Sequence, residues 1–217
     1  MNDRPMNDRP MNDAAEAADV TGFGSLCTVP PMATQQFRLA DASDVGQLVD
    51  LVERAYRGES SRAGWCTEAD LLGGQRVDAD MMRATLDDPD AVVLVLHEDE
   101  RIVACCELRR VGEDLATLGM FAVDPSEQAG GLGRRVIDAG ERLVVERWGL
   151  DRVELTVIDV RASLIEWYQR RGYAATGELR PFPYGDERFG VPRVEGLRFA
   201  VLEKRLGPAG GMLDGHV

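Results

Sequence analysis

The sequence predicts one α/β domain built on a mixed, mostly antiparallel sheet with helices on both of its faces. Three observations predict it. Three apolar, strand-like runs at 91–96, 102–108 and 115–123 follow one another with short polar turns between them, as antiparallel neighbours do. After Pro125 the apolar period lengthens to that of a helix. Strand and helix then alternate, the pattern of a crossover to a parallel neighbour.

Each element has its own local reason. Residues 36–39 open the fold as a short strand, and Asp41 caps a helix from residue 42 to about Tyr56, with Val45, Leu48, Val49 and Val52 on one face. A polar loop over 57–67 leads to a second helical region, 69–72 and then 79–86, which Asp87-Asp88-Pro89 stops. The acidic turn 97–101 marks a hairpin between the first two long strands. Val136, Ile137, Gly140, Leu143, Val144 and Arg147 trace a helix from near Gly133 to Trp148-Gly149. A buried strand (152–158), a helix (162–171) and a strand (173–177) follow. A loop rich in Pro, Gly and aromatics (180–194) and a last strand (197–203) complete the order β, α, α, β, β, β, α, β, α, β, β.

Residues 1–35, which begin with a tandem MNDRP, have no sustained period and read as a disordered tail. The folded domain is expected over 36–206, and the Gly-rich 207–217 as a flexible tail. The chain has 217 residues, enough for one domain with a real core. Its formal net charge of −13 repels phosphate backbones and anionic lipid, so neither nucleic acid nor a membrane surface is an expected partner. A cationic or amine-bearing small molecule fits better, and pairing of two copies stays open. With no apolar signal region at the start and no long apolar run, cytoplasmic residence is expected. The four cysteines form no CxxC pair and only two histidines could join them, so no metal site is expected. Cys105 and Cys106 sit on one strand with side chains on opposite faces and read as buried, inert thiols.

The chemistry concentrates in Met120–Arg135, MFAVDPSEQAGGLGRR. Asp124-Pro125 breaks a strand, and Gln128-Ala129-Gly130-Gly131-Leu132-Gly133 opens a helix. Glycines there let the backbone approach a ligand, and the helix start adds free N–H groups and a positive dipole end, which together make an anion site. Arg134 and Arg135 add charge suited to a pyrophosphate. A P-loop is excluded because the chain has no Gly-Lys pair, and a dinucleotide fingerprint because Val136 stands where its third glycine belongs.

Taken together, Phe121-Ala-Val-Asp-Pro, Gln128-x-x-Gly131-x-Gly133 and Tyr168-x-x-x-Gly172-Tyr173 resemble the GNAT (GCN5-related N-acetyltransferase) superfamily over roughly 37–203. The resemblance implies a sheet with a central splay and acetyl-CoA as acyl donor. It implies that Phe121, Ala122 and Val123 pair with pantetheine like an extra strand, and that Gln128, Ala129, Gly130, Gly131, Leu132, Gly133 and Arg134 hold the pyrophosphate. Tyr168 matches the tyrosine that protonates the departing thiolate, and a phenol of pKa about 10 can donate to a thiolate of pKa about 8.5. The chain departs from the family where Arg161 and Leu164 replace a common Asn and Ala; Arg161 is expected to reach a phosphate instead.

Direct transfer needs a neutral amine and hence a proton acceptor. Glu107, Glu154 and Glu68 are candidates, with Glu68 preferred because it follows Trp65-Cys66-Thr67 in a loop that lines the acceptor pocket in the family. Backbone N–H at the end of strand 115–123 suits the developing oxyanion. The acceptor is expected between Trp65, Glu68 and Tyr184, the last from loop 180–194. Three readings stand beside a small-molecule N-acetyltransferase: a protein or peptide N-acetyltransferase, a CoA-binding sensor without turnover, and a covalent acyltransferase using Cys105 or Cys106.

Overall fold

The computed structural model describes residues 34–62, 64 and 67–207, with the side chains of residues 58, 60, 128 and 129 outside that description. The expected tails therefore fall almost wholly outside the described residues, as does Trp65. Gln35, assigned to the tail, opens the first strand, where it pairs with Glu98.

The elements run in chain order as β1 (Gln35–Leu39), α1 (Val45–Tyr56), α2 (Gly58–Ser61), β2 (Leu72–Gly73), α3 (Ala79–Asp87), β3 (Ala91–Glu98), β4 (Arg101–Val111), β5 (Leu115–Val123), α4 (Leu132–Trp148), β6 (Arg152–Ile158), α5 (Ala162–Gln169), β7 (Ala174–Pro181), β8 (Val191–Pro192) and β9 (Arg198–Arg205). Seven strands form one sheet in the order β1-β3-β4-β5-β6-β9-β7. All its pairs are antiparallel except β5–β6, which α4 connects as a crossover.

The polar groups at the chain's entry explain how α1 starts. Asp41 accepts from Ser43 N–H, and the buried Asp44 accepts from Asp41 N–H, closing a reciprocal cap around a 3-10 turn over Ala42–Asp44. Arg38 holds Asp44 with two guanidinium bonds of 2.5 and 2.7 Å. Val45, Leu48, Leu51, Val52, Ala55 and Tyr56 form the buried face of α1. The helix expected over 69–72 is not present. Leu71 and Leu72 N–H both return to Glu68 O, which makes a single turn that leads into β2, and Gly74 at φ 74° turns the chain out of that strand. One turn cannot offset helix nucleation, and the two glycines that follow forbid its extension. β2 pairs with β8, so the loop expected over 180–194 supplies one strand of a second, two-stranded sheet. The strand before it extends to Pro181.

Two features of β5 shape the site. Against β4 the register shifts between Cys105 and Glu107, which face Ala122 and Gly119, so Met120 and Phe121 form a bulge. Met120 takes φ 42° there, a left-handed conformation rarely held by a side-chain-bearing residue. Toward β6, pairing covers just Ala116–Val153 and Thr117–Glu154 and then stops, which is the central splay.

Helices cover both faces. α1 and α3 pack on Val93, Val95, Cys105, Met120 and Ala122, whereas α4 and α5 pack on Leu94, Leu96, Cys106, Phe121 and Val157. Cys105 and Cys106 thus point to opposite faces, both buried, and burial pushes the Cys106 thiol well above its ordinary pKa.

Candidate active site

Asp124 builds the turn after β5. Its carboxylate accepts from Ser126 N–H at 3.0 Å and Ser126 Oγ at 2.6 Å, and pairs with Arg54 at 3.1 Å. Burial raises its pKa, but the Ser126 bonds and Arg54 outweigh that and hold the carboxyl below its ordinary value. Pro125–Gly130 then forms a 3-10 turn, and Gly131 at φ 73° starts α4. A Cβ at Gly130 or Gly131 would meet nothing within 4 Å, so a ligand can approach the main chain. The first N–H groups of this 17-residue helix have no intrahelical acceptor and carry the positive dipole end.

Gln128 and Ala129 lie on the 3-10 turn, with side chains outside the described residues. Leu132 and Gly133 are buried and can offer backbone alone. Arg134 is exposed beside the helix start, whereas Arg135 turns away to Gln35 and to the face of Phe37. Arg134, Arg170, Arg171 and Lys204, with Asp138 as the one carboxylate in the described lining at 3.5 Å from Arg134, line a depression of about 460 Å³. Arg171 lies over the Trp167 ring at 3.3 Å, and burial, then the neighbouring Arg170 and Arg134, lower its pKa. An anion relieves such like-charge crowding, so turn and depression fit the phosphates of the expected cofactor.

The second half of the site is a cavity of about 190 Å³ where β5 and β6 part. Tyr168, Glu68, Arg161 and Phe121 all line it, so four of the residues singled out in the sequence come together. Tyr168 is buried, its ring against Phe121, Trp167 and Tyr173 at centroid distances of 6.4, 5.0 and 5.7 Å. Glu68 accepts from Arg57 Nη1 at 2.7 Å, and its other oxygen lies 3.7 Å from Arg161 Nη1. Arg161 therefore faces the cavity carboxylate and does not line the basic depression. Ala122 and Val123 pair with Cys105 and Ala104, while the β6 side of β5 has no ladder beyond Thr117.

Tyr184 does not line this cavity. Its hydroxyl accepts from Leu197 N–H at 2.7 Å and its ring stacks edge-on against Phe182. Phe189, from the same connection, lines the cavity in its place. Glu154 and Glu107 are occupied elsewhere, Glu154 by two bonds from Arg180 and Glu107 by Arg109. The sequence reading also missed Arg76 and Tyr56. Tyr56 donates to Phe121 O at 2.7 Å, and Arg76 sits over its ring at 5.4 Å. A tyrosine four residues after Val52 on the apolar face of α1 was the available signal for Tyr56.

The family described as acetyltransferase (GNAT) matches residues 47–173. The S-(2-succino)cysteine N-acetyltransferase of Bacillus subtilis (strain 168) is 30% identical over 150 residues, covering 66% of this chain and 86% of that protein. Among solved structures, the ribosomal-protein-S18-alanine N-acetyltransferase from Escherichia coli superposes with a TM-score of 0.58 at 18% identity, over 83% of this chain and 99% of that one. YncA from Salmonella typhimurium, solved with its cofactor acetyl-CoA, gives 0.59 at 18% identity, over 82% and 97%. The parted strands, the glycine turn and these likenesses converge: the chain belongs to the GNAT family and is an acyltransferase that takes acetyl-CoA as donor.

Proposed function

We propose that this protein acetylates the primary amine of a small molecule in the cytoplasm, with Tyr168 as proton donor and Glu68 as proton acceptor. One observation carries the reading: a single cavity between β5 and β6 holds Tyr168 together with Glu68, the one carboxylate in its described lining. Its volume of about 190 Å³ lies below the range of roughly 300–1,000 Å³ usual for drug-sized ligands, which favours a small acceptor over a protein segment. The Bacillus subtilis relative, named for an amino acid derivative, supports the same class.

Bound acetyl-CoA supplies an activated acetyl group as a thioester. The turn at Gly130–Gly133 and Arg134 hold its phosphates, Gln128 and Ala129 lie within the same loop, and Phe121–Val123 receive the pantetheine arm along the strand edge that β6 leaves. The Tyr168 hydroxyl, screened from water by Phe121, Trp167 and Tyr173, gives its proton to the departing sulfur. Glu68 faces the acceptor's ammonium and takes its proton. Trp65 and Tyr184 remain candidates for the outer wall of the acceptor site, with Phe189 the ring that lines the cavity itself.

The test is thiol release from acetyl-CoA across a panel of primary amines, beside calorimetric titration with CoA. The expected result is micromolar-range binding and amine-dependent thiol release. Binding without release for any amine would instead make the chain a sensor.

A further inference from the structure

The cavity's charge is the reverse of the chain's. Against a net −13 for the whole sequence, the described lining contains Arg76 and Arg161 and the single carboxylate Glu68. Glu68 is itself engaged at 2.7 Å by the buried Arg57, whose Nε and Nη2 make no hydrogen bond among the described residues. Two guanidinium groups, Arg57 and Arg161, therefore bracket Glu68 at 2.7 and 3.7 Å, and with Arg76 the lining keeps a formal excess of one positive charge. The remaining walls are largely apolar, with Leu118, Met120, Phe121 and Phe189 among them, so solvent screens that excess poorly.

Such a site disfavours a bare alkylammonium. The phosphates of the donor do not account for the excess, because Arg134, Arg170, Arg171 and Lys204 form a separate basic depression that shares no residue with this cavity. We propose that the acceptor carries a carboxylate beside its amine, as an amino acid does. Arg161 and Arg76 bind the carboxylate, and Glu68 orients the ammonium. Guanidinium groups are suited to this role because their fork matches a carboxylate's two oxygens. The proposal rests on the acetyltransferase reading above and narrows its substrate class.

The experiment measures thiol release with matched acceptors: L-methionine, L-aspartate and S-carboxymethyl-L-cysteine, each beside its α-amide. An α-amide has the more readily deprotonated amine, so a preference for the acid cannot come from amine basicity. The expected kcat/KM favours each acid by about 10-fold or more, the usual effect of one hydrogen bond to a charged group. Arg76→Gln and Arg161→Gln should each raise KM for the acids by about 10- to 100-fold and leave KM for acetyl-CoA unchanged, with Arg161→Lys intermediate because it keeps charge and loses the fork. Circular dichroism and the unchanged acetyl-CoA KM show that the variants are folded. Amides used as well as acids, or both Gln variants keeping the wild-type preference, would overturn the proposal and leave the acetyltransferase reading standing. An Arg161→Gln effect on acetyl-CoA in place of the acids would do the same. No thiol release with any acceptor, although CoA binds, would remove both.

Discussion

Tyr168→Phe separates a catalytic hydroxyl from a packed ring. The ring contacts with Phe121, Trp167 and Tyr173 survive the change, since just one oxygen is removed from a buried side chain. The stability cost is then at most that of one hydrogen bond, about 0.5–1.5 kcal/mol. For a chain of this size that lowers Tm by no more than about 6 °C. If the hydroxyl protonates the departing sulfur, kcat should fall by about 10- to 1,000-fold, equal to roughly 1.4–4 kcal/mol of barrier, with KM for acetyl-CoA little changed. The assay is steady-state thiol release at saturating amine, run beside thermal unfolding. A variant with full kcat where chemistry limits the rate, or a kcat loss matched by unfolding at the assay temperature, refutes the proton-donor role.

Gly131→Ala should cost about 1–2 kcal/mol from its left-handed φ alone, because the added Cβ meets nothing, whereas Gly131→Glu should abolish CoA binding in calorimetry and keep native circular dichroism. Asp44→Asn should destabilise by about 1–3 kcal/mol at neutral pH in urea unfolding. Arg38 bonds lower the folded pKa of Asp44, so its contribution is present above the unfolded value of about 4 and lost as pH falls through the folded one; the wild-type advantage should shrink as pH falls below about 4. Cys106→Ala should retain kcat and lose about 1 kcal/mol of stability, and mass spectrometry should find no acetyl on the peptide holding Cys105 and Cys106, since burial keeps Cys106 a thiol.

The succession of the seven long strands along the chain and the turn at Gly131 were legible because both depend on local chemistry. Asp99 at φ 54° closes the β3–β4 hairpin, Gly149 at φ 67° ends α4, and Asp124-Pro125 ends β5, and each is a residue type with a known backbone consequence. The β2–β8 pair was not legible, since two-residue strands have no period and exist by contact between segments more than a hundred residues apart. The bulge at Met120 was hidden for a related reason. Nothing about methionine favours positive φ, and the conformation is imposed by the β4 register. In the cavity, Glu68 and Tyr168 could be named from motif position, but which aromatic of the 180–194 region turns inward depends on where β8 docks. Phe189 does and Tyr184 does not.

The brief β5–β6 ladder divides the sheet into two leaves, β1-β3-β4-β5 and β6-β9-β7, bound like the halves of a book. The core beneath α1 and α3 draws its strand residues from the first leaf, while the core beneath α4 and α5 takes them from both, so those two helices act as the spine. Amides of β6, β9 and β7 should then exchange with solvent through an opening that requires less free energy than complete unfolding. A molecule lying along the gap touches both leaves at once. Saturation at about 100 times its Kd adds roughly 2.7 kcal/mol to the closed form, and the two exchange classes should merge into one cooperative unit.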